Sequence, residues 1–272
     1  MFIRHRRLLD QITLLHGPHD LLGRFFLVAD TAARDQGVKL RLRADFDGLV
    51  ELNHRHRASW TPMSPIFDPG QSNLRIDSAF WLEAYDANGD AVATHAARLF
   101  DWPRTTVVDE IRSLRVFYDD PAPHIAAGES VELDGAAVAH IKRRNVYGGA
   151  LWVRPDYRLR GLTTILPRIS RAYAFTRWAT DFHWSFVEPK THTFGVPHAS
   201  GPFHVEENMP ITLRLAFRGL FPSYLMWMSS EEMLEDAADV VLQHTFESSR
   251  RMEMPSANRS LPARRQGMRS RS

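Results

Sequence analysis

Residues 151 to 176, LWVRPDYRLRGLTTILPRISRAYAFT, change their period part-way along, and that change limits what the chain can fold into. Gly149-Ala150-Leu151-Trp152-Val153 is a run of strand formers, and Arg154-Pro155-Asp156-Tyr157 reads as a turn. The basic loop Arg158-Leu159-Arg160-Gly161-Leu162-Thr163 follows. Beyond it Leu162, Ile165, Leu166, Ile169 and Tyr173 fall at i, i+3, i+4, i+7 and i+11, the buried stripe of a helix. The order is strand, basic loop, helix.

A helix that starts near Gly161 leaves its first backbone N–H groups without partners, pointing back toward the loop. The peptide dipoles add partial positive charge there, and Arg158 and Arg160 add two full charges. The result is an anion site suited to a phosphate or pyrophosphate, with Gly161 letting the ligand approach the backbone. A surface loop with two solvated arginines is the plainer reading of the same spacing.

Val153-x-Pro155-x-Tyr157-Arg158-x-x-Gly161-Leu162 resembles the acyl-CoA-binding motif of the GNAT (GCN5-related) N-acyltransferases. Thr163 departs from the small residue usual at its position. The resemblance implies an α/β fold with a mixed, mostly antiparallel central sheet flanked by helices. It also implies an acetyl-CoA or other acyl-CoA co-substrate, gripped by Arg158, Leu159, Arg160, Gly161, Leu162 and Thr163. A backbone N–H of Trp152 or Val153 would polarise the thioester carbonyl. Pro167 lacks the N–H that would bond four residues back, so a bent second turn is expected.

Residues 1–37 read as an N-terminal helical extension, 38–248 as the acyltransferase domain and 249–272 as a disordered basic tail. Within the extension, Leu21, Leu22, Phe25, Phe26, Val28 and Ala29 form the apolar face of a helix over 19–36, and Gly37 stops it. Residues 38–43 alternate as a strand. Asp45 is placed to cap a helix from Phe46 to about Arg57. Residues 78–85 and 91–100 flank Asn88-Gly89 as a hairpin. Residues 102–145 read as an insertion before the fourth core strand (146–153), with helices over 109–118 and 136–142. A fifth strand over 182–187, a strand between 204 and 218, a last strand over 224–228 and a closing helix to about Gln243 complete the chain. Ser229 and Glu232 make a capping box for that helix.

Hydrophobic and charged fractions of 44% and 24% are those of a globular protein. With no cysteine there is no disulfide, thiolate metal site or cysteine nucleophile, and a reducing cytoplasm suits the chain. The basic N-terminus has no apolar run long enough for a secretion signal, and no stretch approaches a membrane span. The tail carries Arg250, Arg251, Arg259, Arg264, Arg265, Arg269 and Arg271 against Glu253. Such a tail can touch nucleic acid or anionic lipid electrostatically, but a solvated terminus without a specific partner is the favoured reading. His54-Arg55-His56-Arg57 is read as a solvated basic face, because i and i+2 diverge on a helix, and no metal site is expected.

Acyl transfer to an amine needs a proton acceptor and a donor for the leaving thiolate. Glu188, at the end of the fifth strand, is the candidate acceptor, and Tyr224 the candidate donor. Glu83, His192 and His198 are weaker candidates. The acceptor substrate is expected to be a small-molecule or peptide amine. Two rival readings remain open. One is a synthase of N-acyl amino acid or homoserine lactone type, using long-chain acyl-CoA or acyl carrier protein, with Phe80, Trp81, Trp102, Trp152 and Trp184 lining an acyl channel. The other is a CoA-binding module without catalysis.

Overall fold

A computed structural model describes residues 7–208 and 210–253. A single-turn α1 (Leu8–Gln11) and a 17-residue α2 (His19–Asp35) precede β1 (Lys39–Arg43) and α3 (Phe46–Arg55). A 3-10 turn over Pro65–Phe67 leads into the hairpin β2 (Ala79–Tyr85) and β3 (Ala91–Trp102). The insertion holds α4 (Val107–Arg112), α5 (Ala122–Ala126) and β4 (Ser130–Glu132), and β5 (Arg143–Val153) follows. After β5 come α6 (Leu162–Trp178), β6 (Phe182–Val187), α7 (Pro189–Thr193) and α8 (Val196–Ala199). The chain closes with β7 (His204–Val205), β8 (Ile211–Leu215), β9 (Gly219–Ser229) and α9 (Ser230–Glu253).

The strands form one sheet in the order β1-β2-β3-β5-β6-β9-β8-β4, with β7 on β9. Every pairing is antiparallel except β5 with β6. Those two are joined by α6, the crossover that a parallel pair requires. The mixed, mostly antiparallel sheet, the added N-terminal helix and the insertion before β5 are as the sequence led one to expect.

One face of the sheet carries α2, α6 and α9. Leu22, Phe25, Phe26, Ala29 and Ala33 recur at helical spacing along α2 and are buried with Leu166 and Ile169 of α6. Burying each phenylalanine is worth about 2–3 kcal/mol, so the N-terminal helix is part of the core. The other face packs against α3 and α4, around Leu49, Phe67, Trp81, Ile111 and Trp184.

Several local readings need correction. Asp45 stands at the N-cap of α3 but makes no side-chain cap, because its carboxylate is held by Arg43 at 2.6 and 2.9 Å. The helix expected over 109–118 starts at Val107, where Thr106 and Asp109 cap each other, and ends at Arg112. Leu114 then adopts φ +61, a left-handed turn that no helix continues through. The helix expected over 136–142 is only a 3-10 turn, Ala136–Val138. Between those two expected helices the insertion also contains α5 and β4, and β4 pairs with β8 at the far edge of the sheet. The strand sought between 204 and 218 is two short ones, β7 and β8. The closing helix has the expected Ser229–Glu232 box but runs on to Glu253, past Gln243 and into the first residues of the expected tail. The rest of that tail, and residues 1–6, lie outside the described residues. α6 runs through Pro167 as one helix to Trp178.

Candidate active site

β5 and β6 pair over only three positions, Asn145 with Phe182, Val146 with His183 and Tyr147 with Trp184. Beyond Tyr147 they part. Ser185 marks the parting point: its hydroxyl donates to the Gly148 carbonyl at 2.7 Å, in place of a ladder bond. On its other side β5 bulges against β3 between Thr94 and Ala96, and Ala150 takes φ +49 there. Thr94 Oγ1 holds the displaced Ala150 carbonyl at 2.8 Å.

The parted strands open a cavity of about 290 Å³ lined by Gly148, Gly149, Ala150 and Leu151 of β5 and by Ser185 to Glu188. It passes through the sheet from one core to the other. On the α3 side its walls are aromatic, with Trp60, Phe117, Phe186, Phe217 and Phe221. On the α6 side they are polar, with His95, Ser170, Arg171 and His183.

The basic loop follows β5 and does not itself line the cavity; its link to it is the Arg158 bond to the carbonyl of Ser59, beside the lining residue Trp60. Gly161 is the N-cap of α6 with φ +74, and no side chain caps the helix. Leu159, fully exposed at the loop tip, is also left-handed at φ +63. A left-handed non-glycine residue costs about 1–2 kcal/mol. Ala150 on the cavity wall and Leu159 in the loop both carry strain of this kind, which collects at functional sites. Arg158 is exposed and donates over 3.4 and 3.5 Å to the carbonyls of Val153 and Ser59. Arg160 lies over the Tyr157 ring at 4.3 Å and donates to the Asp156 carbonyl. Thr163 sits in the first turn of α6, half-buried, and the Leu162 side chain is in the core. A second cavity of about 360 Å³ adjoins the loop, between Arg160, Gly161 and Thr164 and the α9 residues His244 and Glu247.

Trp152 and Val153 differ in what their backbones face. The Arg154 amide donates to Val92 of β3 at 2.8 Å, and Trp152 is in register with Thr94. Alternate residues of a strand turn their amides to opposite sides. Val153 therefore faces away from β3, toward the opening, where its carbonyl accepts from Arg158. The Trp152 ring packs against Trp60 at 5.1 Å and His56 at 4.4 Å, a wall contact rather than a site contact.

Glu188 lines the cavity mouth and is ion-paired with Arg218 at 2.6 Å. Tyr224 is in register with Val187, but its ring lies against His192 at 5.8 Å and it does not line the cavity. His192 and His198 stand on α7 and α8 outside it. Glu83 is buried under Arg41 and Arg43, at 2.7 to 2.9 Å. Of the five aromatics weighed as a channel lining, only Trp184 reaches the cavity; Phe80, Trp81, Trp102 and Trp152 are buried in the two cores. Among the described residues no group of three His, Cys, Asp or Glu could hold a metal ion, and no helix is long and apolar enough to cross a membrane.

The polar wall has no counterpart in the sequence reading. Burial first, and then Arg171, lowers the pKa of both His95 and His183 to about 3. Burial likewise lowers that of Arg171 to about 10, against the pull of Asp236. The sequence carried no signal for it, since Ser170 and Arg171 fall outside the Leu162, Ile165, Leu166, Ile169 and Tyr173 stripe of α6.

No family model matches the chain, and no curated protein matches it. Solved structures do. Arabidopsis thaliana NAA60 in complex with a bisubstrate analogue is 13% identical, over 70% of this chain and 97% of that one, with a TM-score of 0.40. A SpeG spermidine N-acetyltransferase chimera from Vibrio cholerae and hSSAT is 12% identical over 72% and 98%, at 0.41. An uncharacterized protein (bh2621) from Bacillus halodurans is 15% identical over 76% and 92%, at 0.43.

Proposed function

We propose that the protein is an acyl-CoA-dependent N-acyltransferase that moves an acyl group, with acetyl as the simplest case, from the CoA thioester to a primary amine. The observation that carries this reading is a juxtaposition. Among the described residues the one parallel strand pair parts after three positions and opens a cavity, and β5 runs on from that cavity into an uncapped helix N-terminus flanked by Arg158 and Arg160.

The free N–H groups of Leu162 and Thr163, with Arg158 and Arg160, hold the pyrophosphate. Gly161, with nothing within 4 Å of a built Cβ, leaves the backbone open to it. The pantetheine arm then lies along β5 in the gap left by β6, where β5 has backbone groups without a strand partner. The Val153 N–H is the donor aimed at the thioester oxygen, and its bond strengthens as that oxygen gains negative charge.

The amine nitrogen attacks the thioester carbon of the bound donor in a ternary complex. A C–N bond forms, the C–S bond breaks, and CoA leaves as thiolate. The amine's surplus proton passes to Glu188, directly or through water, and the thiolate takes a proton from solvent at the cavity mouth. Tyr224 would have to leave His192 to reach the sulfur, and we assign it no part in the step. The acceptor is a small-molecule or peptide amine. A cavity of this size favours a short acyl group over a long chain.

The test is thermal stability with and without acetyl-CoA, in wild type and in an Arg158→Glu, Gly161→Asp double variant. At a hundred times its dissociation constant, the ligand should stabilise the wild type by about 2.7 kcal/mol and the variant hardly at all. Absence of a shift in folded wild type with any acyl-CoA sinks the reading.

A further inference from the structure

We infer that the polar wall of the cavity is a subsite for a small carboxylate, so that one of the two substrates brought together here carries a carboxyl group. The inference rests on the acyltransferase reading for what the carboxylate belongs to, but on the wall itself for the site.

Four polar atoms on the α6 side lack a hydrogen-bond partner among the described residues: His95 Nδ1, Ser170 Oγ, Arg171 Nε and His183 Nδ1. Their residues are 6%, 1%, 5% and 2% exposed, and all four line the same cavity. They come from three elements, β3, α6 and β6, that converge where β5 and β6 part. A β-carbon built on Gly148 would lie 3.2 Å from the His95 ring, so the wall begins at the parting point itself. Buried polar groups are nearly always satisfied, and four orphans around one space point to an occupant.

Charge decides what kind. Arg171 reaches Asp236 only at 3.7 Å, because both oxygens of that carboxylate are taken by the Arg168 fork at 2.8 and 2.9 Å. Its other contacts are the Ser200 carbonyl and the face of Phe203 at 4.8 Å. Two guanidinium groups thus share one carboxylate, and the uncompensated charge sits on the buried one. A buried charge requires a partner. The two imidazoles do not add to it, since both are held neutral, but each can offer its ring nitrogen. A cation facing neutral ring nitrogens and a serine hydroxyl recognises a carboxylate. The opposite, aromatic end of the cavity suits an apolar group on the same ligand.

That carboxyl group can be on the acyl donor or on the amine. Calorimetric titration distinguishes the two, with acetyl-CoA as the control for the donor loop. Succinyl-CoA is compared with butyryl-CoA, which has a methyl in place of the carboxylate. Phenylalanine is compared with phenethylamine, with and without CoA. The expected result is a preference of about tenfold to a hundredfold for the carboxylate in one pair, the worth of a charge-assisted hydrogen bond. That preference is lost in Arg171→Met and reduced in Ser170→Ala. The serine variant is the safeguard against misfolding, because Ser170 Oγ touches nothing polar and its removal leaves thermal stability unchanged. Acetyl-CoA binding with equal affinities inside both pairs overturns the carboxylate site and leaves the acyltransferase reading standing. A preference for phenylalanine without any acetyl-CoA binding does the reverse. Binding of none of the probes overturns both.

Discussion

The Ser185 hydroxyl bonds the Gly148 carbonyl across 2.7 Å at the place where the parallel ladder stops. The pair lets the strands separate without leaving that carbonyl bare, and so sets the depth of the cavity. Ser185→Ala removes the donor. A carbonyl left without its partner here should cost about 1 kcal/mol, less than a dry site because the cavity can wet it. The denaturant midpoint should fall with an unchanged m-value. An unaltered midpoint would show that water already serves the carbonyl and that the hydroxyl sets nothing.

Gly149 lies beside the bulge, on the cavity floor. A β-carbon there would meet the Tyr147 ring at 2.9 Å and the Phe67 ring at 3.0 Å, two buried aromatics with little room to move. Gly149→Ala should destabilise by about 1–3 kcal/mol, the usual cost of overpacking, and weaken acyl-CoA binding as β5 shifts. Glycine's conformational freedom plays no part; the reason is space. A stable variant with wild-type binding would mean that the floor is softer than its packing suggests.

How far the sequence revealed this arrangement depends on whether the information was local. The strand, basic loop and helix of residues 149–178 were legible because period, turn chemistry and the glycine all lie within one stretch. The hairpin around Asn88-Gly89 was legible for the same reason. The pairing of β4 with β8 was not, because Val131 and Leu213 meet only through the tertiary fold. Nor was the early stop of α4, which rests on the left-handed turn at Leu114, a residue with no local preference for it. The polar wall was missed through helix geometry. Arg171 is on the side of α6 opposite the Leu162–Ile169 stripe, and so reads as solvent-facing. In the fold α9 meets Arg171 there through Asp236, and Ser170, Arg171, Ala172 and Ala174 are buried. Periodicity marks the face a helix turns to its sheet, but not whether a second layer lies on its back.

Those buried histidines make a pH prediction. Burial, with Arg171 adding to it, lowers both His95 and His183 to about 3, while an unfolded histidine titrates near 6.5. Between those values the unfolded chain binds more protons than the folded one. Stability is therefore fully present above about pH 6.5 and is lost as pH falls toward 3. Each histidine should contribute a slope of about 1.4 kcal/mol per pH unit in that window. Replacing either with glutamine should flatten the curve between pH 6 and 4 while leaving its upper plateau. An unflattened curve would show that the ring is hydrated and already protonates in the folded state.

Glu188 distinguishes chemistry from support. Its carboxylate is 40% exposed and bonds Arg218 at 2.6 Å across the cavity mouth. A half-exposed pair of this kind stabilises by about 0–1 kcal/mol, so Glu188→Gln should leave the melting temperature close to that of wild type. The amide keeps the shape but cannot take a proton. If Glu188 receives the amine's proton, turnover should fall by about 10²–10⁴-fold while the thermal shift with acetyl-CoA persists. The loss should shrink as pH rises toward the amine's own pKa, because the substrate then arrives deprotonated and needs less help. Loss of turnover at every pH together with loss of the acetyl-CoA shift would instead mean that the Glu188–Arg218 pair holds the mouth of the cavity in shape, and the proton acceptor would have to be sought among waters within it.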